Sequence, residues 1–128
     1  MEQLRKALET RDAAAVEALL ADDGVFSSPA LFKPYAGRGA TMVFLRAAME
    51  TFEDFRYVRA YSEDDGRGHV LMFAASVGGR QLEGADFIRL DEAGLVNEFR
   101  VMIRPMSGLV ALAEAMAPRV EAGMTSLS

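Results

Sequence analysis

With 128 residues, 51% of them apolar, the chain suits one ordinary domain spanning 1–128 that buries a real core, and is too short for two. Fourteen Lys and Arg stand against nineteen Asp and Glu, a net charge of −5, and the cations are scattered; this argues against nucleic-acid binding, which needs clustered positive charge to release counterions. Cysteine is absent, which removes disulfides, thiol nucleophiles and Cys-ligated metals, and the longest uncharged run, 68–79, is too short to span a bilayer, so the expected setting is cytoplasmic, with no membrane partner.

Helices come first. Leu4, Ala7 and Leu8 fall on one face of a helix over about Glu2–Thr10. Asp12 is placed to cap a second helix, Ala13–Ala21, with Val16, Leu19 and Leu20 inward and Gly24 as its stop. Val25–Ser28 reads as a short strand ended by Pro29, which lacks an amide donor. Two Pro and two Gly make 29–39 a loop, and a third helix is expected over about Ala40–Phe52, burying Val43, Phe44, Ala47 and Ala48.

Strands follow. Phe55–Ser62, His69–Val77, Gln81–Leu90 and Leu95–Arg104 are joined by turns at Asp64-Asp65-Gly66, Gly78-Gly79 and Asp91-Glu92-Ala93-Gly94, the pattern of an antiparallel meander. Pro105 ends it. Ser107 is then expected to cap a last helix over about Gly108–Ala117, with the tail beyond Pro118 frayed.

Alternation assigns faces. Phe99, Val101 and Ile103 share one side of the last strand, with Arg100 and Arg104 on the other; Leu82, Gly84, Asp86, Ile88 and Leu90 share one side of the strand before it. Asp86 therefore lies on an otherwise apolar face, where a carboxyl is costly unless paired or protonated and should have a raised pKa.

Three stretches carry a family resemblance: Leu20-Ala21-Asp22-Asp23-Gly24-Val25-Phe26-Ser27-Ser28-Pro29, Tyr35-Ala36-Gly37-Arg38-Gly39 and the run from Ala85-Asp86-Phe87 to Gly94. In order and spacing the chain resembles the nuclear transport factor 2-like superfamily, which includes ketosteroid isomerases, SnoaL-like polyketide cyclases, scytalone dehydratase and limonene epoxide hydrolase. The resemblance implies an α+β fold, a cystatin-like roll. Its cone-shaped, curved antiparallel sheet packs against the N-terminal helices around an apolar pocket, with a C-terminal helix.

It also places Asp86 where the isomerases keep a protonated Asp that donates to a developing enolate oxygen, a carboxylic acid held neutral by an apolar site. Phe44, Leu45, Phe99, Val101 and Ile103 fall at pocket-lining positions. The isomerases' general base, however, falls at Ser28, and their oxyanion Tyr falls near Leu4, so classical steroid isomerisation is not expected.

The candidate ligand-binding residues are Phe26, Ser28, Phe32, Tyr35, Phe44, Tyr57, Phe99, Val101 and Ile103, with Asp86 as the candidate catalytic residue. Tyr35 and Lys33 are expected at the pocket mouth. Two readings of Asp86 stand side by side: a hydrogen-bond donor or general acid to a ligand carbonyl, or a structural carboxyl bonded to a helix terminus or a buried Tyr. Ser27 and Ser28 read as turn residues, since the single His, His69, starts a strand far away in sequence. That lone His, without Cys, also implies no transition-metal site.

The expected function is binding, with or without conversion, of a small apolar carbonyl compound, polyketide-like or steroid-like, by cofactor-free chemistry. The alternative is a non-catalytic carrier or dimerising module. The strand His69–Val77 is apolar on both sides, which leads us to expect a homodimer through the outer sheet face, around Met72, Phe87 and Met102.

Overall fold

The computed structural model describes residues 1–127. Helix α1, Glu2–Glu9, buries the apolar stripe Leu4, Ala7 and Leu8. Beyond its cap at Thr10, the Asp12 N–H donates to the Ala7 carbonyl at 2.9 Å and the Arg11 N–H to the Leu8 carbonyl at 3.3 Å, a Schellman ending with Arg11 at a φ of 59°. The Asp12 carboxylate then accepts from the Ala15 N–H at 3.1 Å and caps α2, Ala13–Ala18.

α2 is shorter than expected. Leu19 already closes it, and Leu20 and Ala21 open strand β1, Leu20–Ser27, where both are buried. An apolar run does not by itself separate a helix end from a strand start. Gly24 is thus inside a strand rather than at a helix stop, and a Cβ there would lie 3.1 Å from the Val96 carbonyl oxygen. Within the expected loop, β2, Tyr35–Ala36, pairs antiparallel with β1. α3, Arg38–Thr51, starts two residues early because Gly37, at a φ of 103°, turns the chain into it.

The meander forms as expected: β3, Glu53–Ser62; β4, Gly68–Val77; β5, Arg80–Leu90; and β6, Val96–Arg104. Sheet order is β2-β1-β6-β5-β4-β3. All pairs are antiparallel except β1 with β6, which run parallel because the chain returns to β1's edge only after α3 and the whole meander. The inner face carries Leu71, Phe73, Ala75, Leu82, Ile88 and Phe99, all buried against the helices.

The largest departure is α4, Met106–Leu127, which runs straight through Pro118. Ser107 sits within its first turn and is not a cap. Tertiary contacts outweigh the local stop signal. The Arg119 guanidinium reaches Glu50 at 3.4 Å and donates to the Thr51 hydroxyl at 3.1 Å, and Gly123 lets the helix lie so close to α3 that a Cβ would meet Val43 at 2.8 Å. No helix among the described residues is long and apolar enough to cross a membrane.

Candidate functional site

The sheet curves away from α3, and α4 crosses the opening. Between them lies a cavity of about 370 Å³. Phe26 and Phe99 line it from β1 and β6, joined by Val101 and Ile103; Phe44 and Leu45 line it from α3. Leu109, Leu112, Ala113 and Met116 of α4 supply a wall, and Val120, beyond Pro118, extends it. Phe26 stacks on Phe44 at 4.8 Å between centroids and 20° between planes, which fixes one corner.

Two expected lining residues are elsewhere. Phe32 is fully exposed and does not line the cavity, whereas its loop neighbours Pro29, Ala30 and Leu31 do. Tyr35 packs behind Phe44, 4.9 Å between ring centroids, held there by the β1–β2 pairing. Ser28 does line the cavity, but its hydroxyl accepts from the Ala30 N–H at 3.1 Å, a local turn bond.

The polar side chains lining the cavity are Arg11, Ser28, Tyr57, Asp86 and Glu121, and of these only Tyr57 and Asp86 are buried. They bond to each other: the Tyr57 hydroxyl donates to Asp86 Oδ2 at 2.6 Å. The two are not directly opposite. Asp86 pairs with Leu71 and Ala60 across the sheet, whereas Tyr57 pairs with Phe73 and Gly84, one row along. The phenol reaches diagonally over β4. Gly84 keeps that row shallow, since a Cβ there would be 2.5 Å from the Phe73 ring. β3 is an edge strand, and Glu9 of α1 fastens it by accepting the Tyr57 N–H at 3.2 Å.

Burial pushes the Asp86 carboxyl up to about 7, against the smaller opposite pull of the Tyr57 hydrogen bond. The Tyr57 hydroxyl is raised well above its ordinary value, first by burial and then by Asp86. When Asp86 is protonated the pair holds two O–H groups, and Tyr57 spends its own on Oδ2. The carboxyl O–H is the donor left over. No buried side-chain polar atom among the described residues lacks a partner, and Oδ1 makes no protein hydrogen bond among them, so Oδ1 opens on the cavity.

Alternation on β5 placed Asp86 correctly, and Tyr57 was a candidate; their pairing, and Arg11 and Glu121 at the rim, were not anticipated. Leu4, near which the resemblance puts the isomerases' Tyr, is plain core. A hydroxyl instead enters from β3. Among the described residues no cluster of three or more His, Asp or Glu could hold a metal ion.

A curved sheet wrapped on helices around a cavity with a buried carboxyl defines a class of α+β roll, and residues 1–99 match the SnoaL-like domain. The chain belongs to that family. A steroid delta-isomerase from Pseudomonas aeruginosa is 42% identical over 97% of this chain and 90% of its own, with a TM-score of 0.90. An uncharacterized protein with a cystatin-like fold from Silicibacter pomeroyi is 32% identical over 98% of this chain and 88% of its own, TM-score 0.91. A polyketide cyclase-like structure from Xanthomonas campestris, described as putative, shares the fold at 17% identity, covering 87% of this chain and 92% of its own, TM-score 0.69. No curated protein matches.

Proposed function

We propose that the chain binds a small, largely apolar ketone, steroid-like or polyketide-like, whose carbonyl oxygen accepts a hydrogen bond from protonated Asp86. The observation that carries this is an apolar cavity whose two buried polar side chains form one pair, leaving one donor over. A cavity of this size falls in the range that small ligands occupy. The 42%-identical relative called a steroid delta-isomerase supports the ligand class. Donation to the carbonyl draws electron density toward oxygen and acidifies the adjacent C–H bonds, the first requirement for cofactor-free isomerisation, cyclisation or dehydration. The second requirement is a base. Ser28, with its hydroxyl in a turn bond, cannot serve alone, and this favours a carrier as the second reading.

Calorimetric titration with a 3-ketosteroid and with 1-tetralone tests the proposal. Affinity should fall as pH rises through about 7, where Asp86 loses the proton it donates. Asp86→Asn, whose amide donates at every pH, should flatten that dependence, and Asp86→Leu should abolish binding. Binding that ignores both pH and Asp86→Leu refutes the anchor.

We also propose a cytoplasmic homodimer through the outer sheet face. There Met72, Ala85 and Met102 form one cross-strand row, beside Val70 and Phe87 in the next. Met102 is half exposed, and the Arg104–Glu83 ion pair at 2.6 Å flanks the rows. Such a patch, apolar with charges of both signs at its edge, suits an isologous contact. Sedimentation at micromolar concentration should show twice the monomer mass, and Met102→Glu should halve it. A monomer in the unmodified chain counts against the dimer.

A further inference from the structure

Arg11 occupies a position that its backbone disfavours. It is the residue just past the end of α1 in a complete Schellman ending, at a φ of 59°. Helices usually place Gly there, because a Cβ is disfavoured in the left-handed region. A residue kept in such a conformation calls for a reason found in its side chain.

The side chain points to the cavity. Arg11 is exposed to solvent and lines the cavity, so it stands at the rim. One guanidinium nitrogen donates to the Phe52 carbonyl at 2.6 Å, where α3 ends. That bond orients the planar group and leaves its other N–H donors free of protein partners among the described residues. The nearby carboxylates are engaged elsewhere: Glu9 with Arg5 and the Tyr57 N–H, Asp12 with the Ala15 N–H. No carboxylate among the described residues lies within ion-pair distance of Arg11.

We propose that Arg11 is an anion subsite, and that the ligand is an apolar keto acid with its carbonyl at Asp86 and a carboxylate at the rim. This rests on the carbonyl anchor at Asp86 and adds a second, charged point of recognition. An oriented guanidinium with free N–H groups matches a carboxylate's two oxygens. Glu121 lines the same cavity and is exposed on α4. Its charge opposes a phosphate dianion more than a carboxylate monoanion, which selects the latter. The bland explanation is that Arg11 only ties the α1–α2 turn to the end of α3, and the two ideas differ in what a ligand's charge should do.

The test compares three probes on the full chain at a pH below the Asp86 midpoint: 1-tetralone, 1-tetralone carrying a carboxylate on the ring remote from its carbonyl, and the methyl ester of that acid. Calorimetry should show the acid binding about fivefold tighter than the equally bulky ester, the size of a partly solvated charge-assisted contact. The preference should shrink in about 0.5 M salt, where such a contact is screened. Arg11→Gly suits the left-handed backbone and preserves the turn; a thermal melt verifies its fold, and its acid-to-ester ratio should be one. Equal affinities in the unmodified chain, or a preference that survives Arg11→Gly, overturns the subsite. If 1-tetralone itself does not bind, the carbonyl anchor fails and the subsite with it. If 1-tetralone binds and the acid gains nothing, only the subsite fails.

Discussion

Asp86 and Asp65 carry the same carboxyl and are pushed in opposite directions. Asp86 sits in the cavity wall with one hydrogen-bond donor, and burial takes it up to about 7. Asp65 sits in the β3–β4 hairpin, in water. It accepts from the Arg67 N–H at 2.9 Å and, more weakly, the Gly68 N–H at 3.4 Å, and the Arg89 guanidinium donates to it at 2.8 Å. Those donors, the Arg67 amide first, hold it down at about 2. One donor does not compensate a carboxylate for lost water, whereas several donors in the presence of water favour its charge. The cavity therefore keeps a proton over the weakly acidic range up to about pH 7, and the hairpin keeps a charge.

The largest expected effect breaks the cavity side of this contrast. Between the ordinary carboxyl value of 3.8 and about 7, folded Asp86 keeps a proton that the unfolded chain has lost. Stability is then highest near pH 4 and declines as pH rises to about 7, by about 4 kcal/mol for a shift of this size, and is flat above. Asp86→Asn should remove that slope. Urea unfolding at intervals from pH 4 to 8 would show it, and a wild-type curve as flat as that of the Asn variant would mean that the carboxyl is hydrated.

A smaller effect follows from the pair itself. Tyr57→Phe removes the hydrogen bond that favours the charged carboxyl, so the midpoint of Asp86 should move further up. The lost bond should cost about 1 kcal/mol. NMR titration of the Asp86 carboxyl carbon reports the midpoint, and a midpoint that stays or falls would show that Tyr57 does not hold the proton's partner oxygen.

The two sites also differ in how they could be read beforehand. Asp86 was legible because alternation is strict: with Leu82 and Ile88 on its face, it had to point inward. The meander was legible from its turns, Gly78-Gly79 above all. The Tyr57 contact was not, since it runs diagonally over β4 and β3 carries register shifts on either side of Arg56 and Tyr57 that parity does not show. The start of β1 was not legible, because Leu20 and Ala21 suit a helix end and a strand start equally. The length of α4 was not legible, because Pro118 is a local stop signal and what overrides it, the contact of Arg119 and Gly123 with α3, is tertiary. The exposure of Phe32 was not legible, since nothing in the loop between Pro29 and Pro34 specifies a direction.

The smallest effect sharpens the hairpin side. Arg89→Met removes one donor from Asp65 and leaves the two backbone amides, so the Asp65 midpoint should rise from about 2 only part of the way to 3.8. A depressed carboxyl stabilises above its unfolded value and loses that contribution as pH falls toward its folded one, so the variant should be less acid-sensitive between about pH 4 and 2. Because Asp65 and Arg89 are in water, about 1 M salt should reproduce most of the change in the unmodified chain. The same salt should leave the slope due to Asp86 in place, since desolvation is not screened. If salt abolished both pH dependences alike, Asp86 would be behaving as another surface carboxylate, and the cavity would have no proton to donate.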